Sequence, residues 1–203
     1  MNVPLLRYGT VIPSVLEECV ARELRADARR NRARVLAVAA EVFAAEGLGV
    51  PIHEIARRAG VGTGTVSRHF PTKEALYAAI LLERMERLTA EADALAASKT
   101  PGEAFFRFFA TLVHEGATNR GLAEALAGAG YDLDAAGTEA GHDVSGRLRT
   151  LLAMAQEAGA VRSDVEFADV KALMMGCQAH PAGGTDLAAL DRTVTVVRAG
   201  LRA

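Results

Sequence analysis

Apolar residues along this chain recur at steps of three and four, and few segments alternate at steps of two. That spacing marks one face of a helix rather than a strand. Repeated over nearly the whole length, it predicts an all-α protein. Val35, Ala39, Val42 and Phe43 share one face of a helix over about 27–46. Gly47 and Leu48 then suit a helical C-terminus with its hydrophobic contact. Pro51 opens the next helix, "PIHEIARRA", where a missing N–H costs nothing; Ile52, Ile55 and Ala56 face inward. Gly60 ends that helix in a turn that calls for positive φ. Val61 plugs the core, and a short helix over about 63–69 turns Val66 and Phe70 inward. A long helix over about 72–97, capped by Thr72, carries Leu76, Tyr77, Ile80, Leu81, Met85 and Leu88 on a broad apolar face, and "SKTPG" breaks it.

The second half repeats the pattern. Phe105, Phe108, Phe109 and Leu112 stand at i, i+3, i+4 and i+7 of a helix over about 101–117. A short helix spans 119–128, and "GAGYDLDAAG" reads as a loop or weak helix. Val144, Leu148, Leu151, Leu152 and Ala155 predict a helix over 138–159. Val170, Leu173, Met174 and Cys177 mark another over 166–180. "HPAGG" separates that helix from 186–201, where Leu187, Leu190, Val194, Val197 and Leu201 step by three and four like the seam of a bundle interface. The beginning is different. Pro4, Gly9 and Pro13 interrupt it, although "SVLEECVARELRADARR" can be read as helix with Ser14 and Glu17 as a capping box. Residues 1–26 are therefore expected to form an arm, partly ordered.

Two short helices joined by a Gly-centred turn, behind a longer one, make a helix-turn-helix. The second short helix begins "GTGTVSRH". Gly62 and Gly64 are costly there, since each gives up about 1 kcal/mol of helix propensity against Ala. They make sense if the first turn must approach a partner closely. In the major groove, Thr63 and Thr65 can bond phosphates or base edges and offer a methyl to thymine, and the exposed N–H groups suit a phosphate. Charge supports this placement. The 203-residue chain has a net charge of −2, yet ten basic and five acidic residues lie between Arg22 and Lys73, leaving thirteen and twenty elsewhere. A basic block on an acidic body points to one face meant for a polyanion.

With its long following helix, the stretch "VLAVAAEVFAAEG…IHEIARRAGVGTGTVSRHFPTKEALY" resembles the TetR (tetracycline-repressor-like) family of bacterial regulators, over about a quarter of the chain. The resemblance implies an all-α homodimer whose first three helices bind double-stranded operator DNA and whose fourth leads into a larger regulatory domain. Domains are accordingly expected at 1–26 (arm), 27–71 (helix-turn-helix) and 72–203 (regulation and dimerisation). It places Thr63 and Thr65 at DNA-contacting positions and His69 and Lys73 at phosphate-facing ones. Gly62, Gly64, Ser67 and Arg68 lie on the same surface, and Arg29 and Arg32 are candidates for phosphate or minor-groove contact. Two departures bear on affinity and base preference: Ser67 stands where members often carry Tyr, and Gly62 where they often carry Ser or Thr. The last two helices are implied to form the dimer interface, through Val170, Leu173, Cys177, Leu187, Leu190, Val194 and Val197. The resemblance also implies a small-molecule effector within the regulatory domain. Met and Phe there suit an apolar or aromatic one, with Met85, Phe105, Phe109, Leu112, Leu152 and Met174 as lining and Gln178, His114 or His180 as polar anchors.

Other classes find little support. No P-loop, dinucleotide glycine pattern, nucleophile elbow or zinc motif is present, so neither an enzyme nor a cofactor is expected. His114, His142 and His180 fit no metal-ligand spacing. Cys19 and Cys177 are far apart, as in a reduced cytosolic chain, and no apolar run reaches the roughly 20 residues that span a bilayer. The competing reading is an architectural dimeric DNA binder without an effector.

Overall fold

The computed structural model describes residues 12–179 and 186–203; among them are ten helices and no strand. Helix α1 (Ile12–Glu46) is longer than the pattern suggests, since it runs unbroken through residue 27. The reason is local: between residues 14 and 46 there is no Gly or Pro to stop it, and Pro13 falls in the first turn, where its missing N–H is not needed. The side chains of Ser14 and Glu17, the expected capping box, lie outside the described ones, as does His180. From Val35 onward α1 is anchored by buried Val35, Leu36, Ala39, Val42 and Phe43.

Helices α2 (Ile52–Arg58) and α3 (Thr63–His69) meet at Gly60, whose φ of 66° no L side chain adopts without strain. Helix α4 (Lys73–Ser98) starts at Thr72, whose Oγ1 accepts the Ala75 N–H at 3.1 Å. The Phe43 ring stands edge-on to Tyr77, with centroids 5.1 Å apart, and the Tyr77 hydroxyl donates to the Leu48 carbonyl at 3.2 Å. These contacts lock α1 to α4 behind the α2–α3 pair.

The second half holds α5 (Pro101–Thr118), α6 (Arg120–Gly128), α7 (Leu133–Glu139), α8 (Val144–Glu157), α9 (Phe167–Gln178) and α10 (Leu187–Leu201). The single helix expected over 138–159 begins only at Val144. Gly141, at φ 84°, turns the chain, and Asp143 then caps α8 by accepting the Gly146 N–H at 2.7 Å. The weak segment before it contains α7, capped in the same way by Asp132.

Two apolar cores result. One joins α1–α3 and the start of α4 to Leu122 and Leu126 of α6. The other is built on Phe105, Phe106, Phe108 and Phe109 of α5 against α8, α9 and α10. Each fully buried Phe contributes about 1.5–3 kcal/mol of transfer free energy, which makes α5 the central post of the second core. Helix α4 belongs to both, giving Leu76, Tyr77, Ile80 and Leu81 to the first and Ala92 to the second.

Candidate DNA-binding and effector sites

The surface formed by α2, the turn and α3 follows from which residues the first core takes. Val66 and Phe70 are buried on the inner side of α3, so Thr63, Gly64, Ser67, Arg68 and His69 are left exposed on the outer side, with Thr65 half-buried at its edge. Gly62 is the N-cap residue, with extended backbone and no side chain over the helix start. A methyl group added at Gly64 would meet nothing within 4 Å, so packing within the chain does not demand glycine there. Arg68 Nε donates to the Gly64 carbonyl at 3.1 Å, one turn back on its own helix.

Two basic side chains are placed differently from expectation. Lys73 Nζ donates to the Leu48 carbonyl at 3.1 Å and to that of Gly49 at 3.4 Å. It therefore braces the α1–α2 loop, with one donor remaining for a phosphate. The Arg32 guanidinium lies 5.6 Å from the Phe70 ring centroid, against the end of α3. Arg29 is exposed beyond it.

Two acids in this head, Glu46 and Glu54, are used internally. Glu54 accepts from Arg57 at 2.7 Å and from Arg58 at 2.7 Å, and Arg58 also reaches Glu46. Hydrogen bonds from Arg57 and then Arg58 hold the Glu54 carboxyl down to about 2, and the bond from Arg58 lowers that of Glu46. This cluster staples α2 to the end of α1.

A cavity of about 280 Å³ lies where the two cores meet. Of the expected lining, Met85, Leu112, Met174 and Gln178 are on its wall. Phe105, Phe109 and Leu152 are not: they are closed into the second core, because the Phe stripe faces α8 and α10 rather than the gap. His114 does not line it either; its Nε2 lies 2.9 Å from Asp191 Oδ1 on α10. The Gln178 amide donates to the Leu112 carbonyl at 3.0 Å, crossing Gly116, where any Cβ would overlap it.

The sequence reading missed the polar part of the wall. Arg84 pairs with Glu115 at 3.2 Å, Asn119 donates to Glu115 at 2.9 Å, and Lys171 faces Asp134 at 3.6 Å. Arg84 carried a signal. It stands one turn from Ile80, Leu81 and Leu88, a charge inside an apolar face. The wall is otherwise apolar, with Leu81, Leu88, Leu133, Val144 and Leu148, and it suits a small molecule with an apolar body and a polar edge.

The expected dimer seam divides into two sets. Val170, Cys177 and Leu190 are buried in the chain's own second core, and Val194 and Val197 pack half-buried against it. Five of the seven stepped positions thus lie on this inward face. Burial also pushes the Cys177 thiol pKa up, which suits an inert packing residue. The outward faces carry Leu173 and Met175 on α9 and Leu187 and Val196 on α10, exposed by 38, 63, 53 and 71% respectively.

Comparisons with known proteins agree with this architecture. Residues 35–80 match the family described as bacterial regulatory proteins, tetR family, and residues 100–203 match the SbtR-like transcriptional regulator C-terminal domain. The crystal structure of a TetR transcription regulatory protein from Mycobacterium vanbaalenii is 49% identical, with a TM-score of 0.69, over 89% of this chain and 99% of that one. A TetR transcriptional regulator from Streptomyces coelicolor is 32% identical, also at a TM-score of 0.69, over 84% of this chain and 98% of that one. The HTH-type transcriptional regulator TtgW of Pseudomonas putida is 39% identical over 70 residues, which are 34% of this chain and 52% of that protein. The match thus spans about half the length of that curated relative.

Proposed function

Because the chain belongs to the tetR family of bacterial transcriptional regulators, we propose that it is a repressor that binds a pseudo-palindromic operator as a homodimer and is released by a small, largely apolar effector. The observation that carries this reading is the cavity at the meeting of the two cores, walled by α4 and by helices of the second half. An effector seated there touches α4, which enters both cores. It therefore binds one arrangement of head and body better than another. Two recognition helices must stand about 34–36 Å apart to enter successive major grooves. A ligand favouring another spacing lowers operator affinity by its preference between the two states. Thr63, Thr65, Ser67, Arg68 and His69 meet the DNA, with Gly62 and Gly64 keeping the first turn low. The outward faces of α9 and α10 join the two copies, centred on Leu173, Met175, Leu187 and Val196. Among the described residues no helix is long and apolar enough to cross a membrane, in keeping with a regulator working beside DNA in the cytoplasm.

The test is selection of bound sequences from random DNA by the purified protein at near-physiological salt. The expected result is a pseudo-palindrome with half-sites one helical turn or somewhat more apart. A variant with Thr63→Ala and Thr65→Ala should lose that selectivity and keep its melting temperature, because Thr63 is exposed and Thr65 lies outside the apolar core. Salt-sensitive binding with no recovered sequence would favour an architectural DNA binder instead.

A further inference from the structure

The first core accounts for α1 only from Val35 onward. Before it, no described side chain of α1 is buried, and Val20 is 54% exposed. The helix nevertheless continues back to Ile12. What it carries there is ordered. Arg22, Arg25, Arg29 and Arg32 follow one another at three, four and three residues. At 3.6 residues per turn they share an arc of about 80° and cover about 15 Å of helix. The same three-and-four stepping continues without interruption into Leu36, Ala39 and Phe43, which are buried against the helix-turn-helix. One stripe of α1 is therefore apolar where it lies on the head and arginine where it runs past it.

Arg32 marks the crossover: its guanidinium rests over Phe70 at the end of α3. By helical spacing, Arg22, Arg25 and Arg29 share the stripe of Arg32. Among the described residues these three form no ion pair, whereas Arg30, off the stripe, is paired with Asp27. An unneutralised arginine stripe next to a DNA-reading helix has one complementary partner at hand, the phosphate backbone of the same duplex.

We propose that the projecting part of α1 is a second DNA contact, independent of sequence, in which Arg22, Arg25 and Arg29 neutralise phosphates flanking the base pairs read by α3. The proposal rests on the DNA-binding reading of the helix-turn-helix. It gives this chain a longer footprint than the head alone and a steeper dependence on salt.

Affinity should be measured against salt concentration for the full chain and for the Arg22→Ala, Arg25→Ala, Arg29→Ala triple variant. Alanine keeps the helix, so unfolding of α1 is not at issue. Two duplexes carry the selected sequence, one ending at its edges and one extended by about one helical turn on each side; a mixed-sequence pair of the same lengths replaces them if none is recovered. On the long duplex, the slope of log affinity against log salt should be shallower in the variant by about 0.9 for each phosphate that is no longer neutralised. On the short duplex the two proteins should agree. Arg→Lys at the same positions should restore the slope. Equal slopes on both duplexes overturn the second contact, and an equal reduction on both overturns its flanking position. A wild-type chain that binds neither duplex overturns the helix-turn-helix reading instead.

Discussion

Glu54 shows how much one half-buried side chain can organise. It receives hydrogen bonds from Arg57 and Arg58, and Arg58 continues to Glu46, so these two acids of a basic head hold it together. Its carboxyl is held near 2, below the ordinary value of 4.5, so the folded state binds that proton more weakly than the unfolded chain does. The stabilisation is therefore complete above about pH 4.5 and is lost as the pH falls toward 2. Glu54→Gln should flatten this part of the stability–pH profile, measured as the urea midpoint at successive pH values, and leave the profile at neutral pH parallel to that of the native chain. The sequence showed "HEIARR" as a helix with acid and base one turn apart. It did not show the reach to Glu46, because that contact exists only once Gly47–Val50 folds α2 back against α1. Arg84 teaches a related lesson. A charge on an apolar face is visible in one dimension, but its partner Glu115 lies 31 residues away.

The glycines of α3 and its turn separate two kinds of constraint at the element scale. Gly60 needs its positive φ, and no atom crowds it. Gly60→Ala should therefore cost about 1–2 kcal/mol through backbone strain alone, read as a lower denaturation midpoint. Gly64 is helical and open to solvent. Gly64→Ala should raise stability by about 0.5–1 kcal/mol and yet, on the proposed docking of α3, weaken DNA binding, because the added methyl would stand between helix and duplex. A variant both more stable and equally tight on DNA would remove close approach as the reason for glycine at this position. Helix existence was legible wherever three-and-four stepping persisted. Boundaries failed where local chemistry overrode it: at Gly141 and Asp143, which divide an apparently continuous pattern, and before residue 27, where a polar sequence without breakers continues α1. Periodicity reports burial, and a projecting helix has none to report.

Across the whole molecule, the same limit explains the dimer seam. Stepping along α9 and α10 selected Val170, Cys177 and Leu190, which the chain buries for itself, together with Leu173 and Leu187, which it leaves exposed. The surface proposed for a second copy is the exposed one. Leu190→Ala should destabilise the protomer by about 2–5 kcal/mol. Val196→Glu, on the exposed face, should leave the protomer's melting nearly unchanged and turn a dimer into a monomer in sedimentation equilibrium. A dimer that survives Val196→Glu would place the interface elsewhere. The cavity was legible only in part, since Met85, Leu112, Met174 and Gln178 sit on three different helices and their convergence is a product of packing. Helix α4 finally ties the scales together. Its 26 residues, about 39 Å at 1.5 Å each, supply side chains to both cores. Neither half can come apart without exposing side chains of α4, most of them in the first core. Thermal denaturation should thus appear as one cooperative event, with the amides midway along α4 among the slowest to exchange with deuterium.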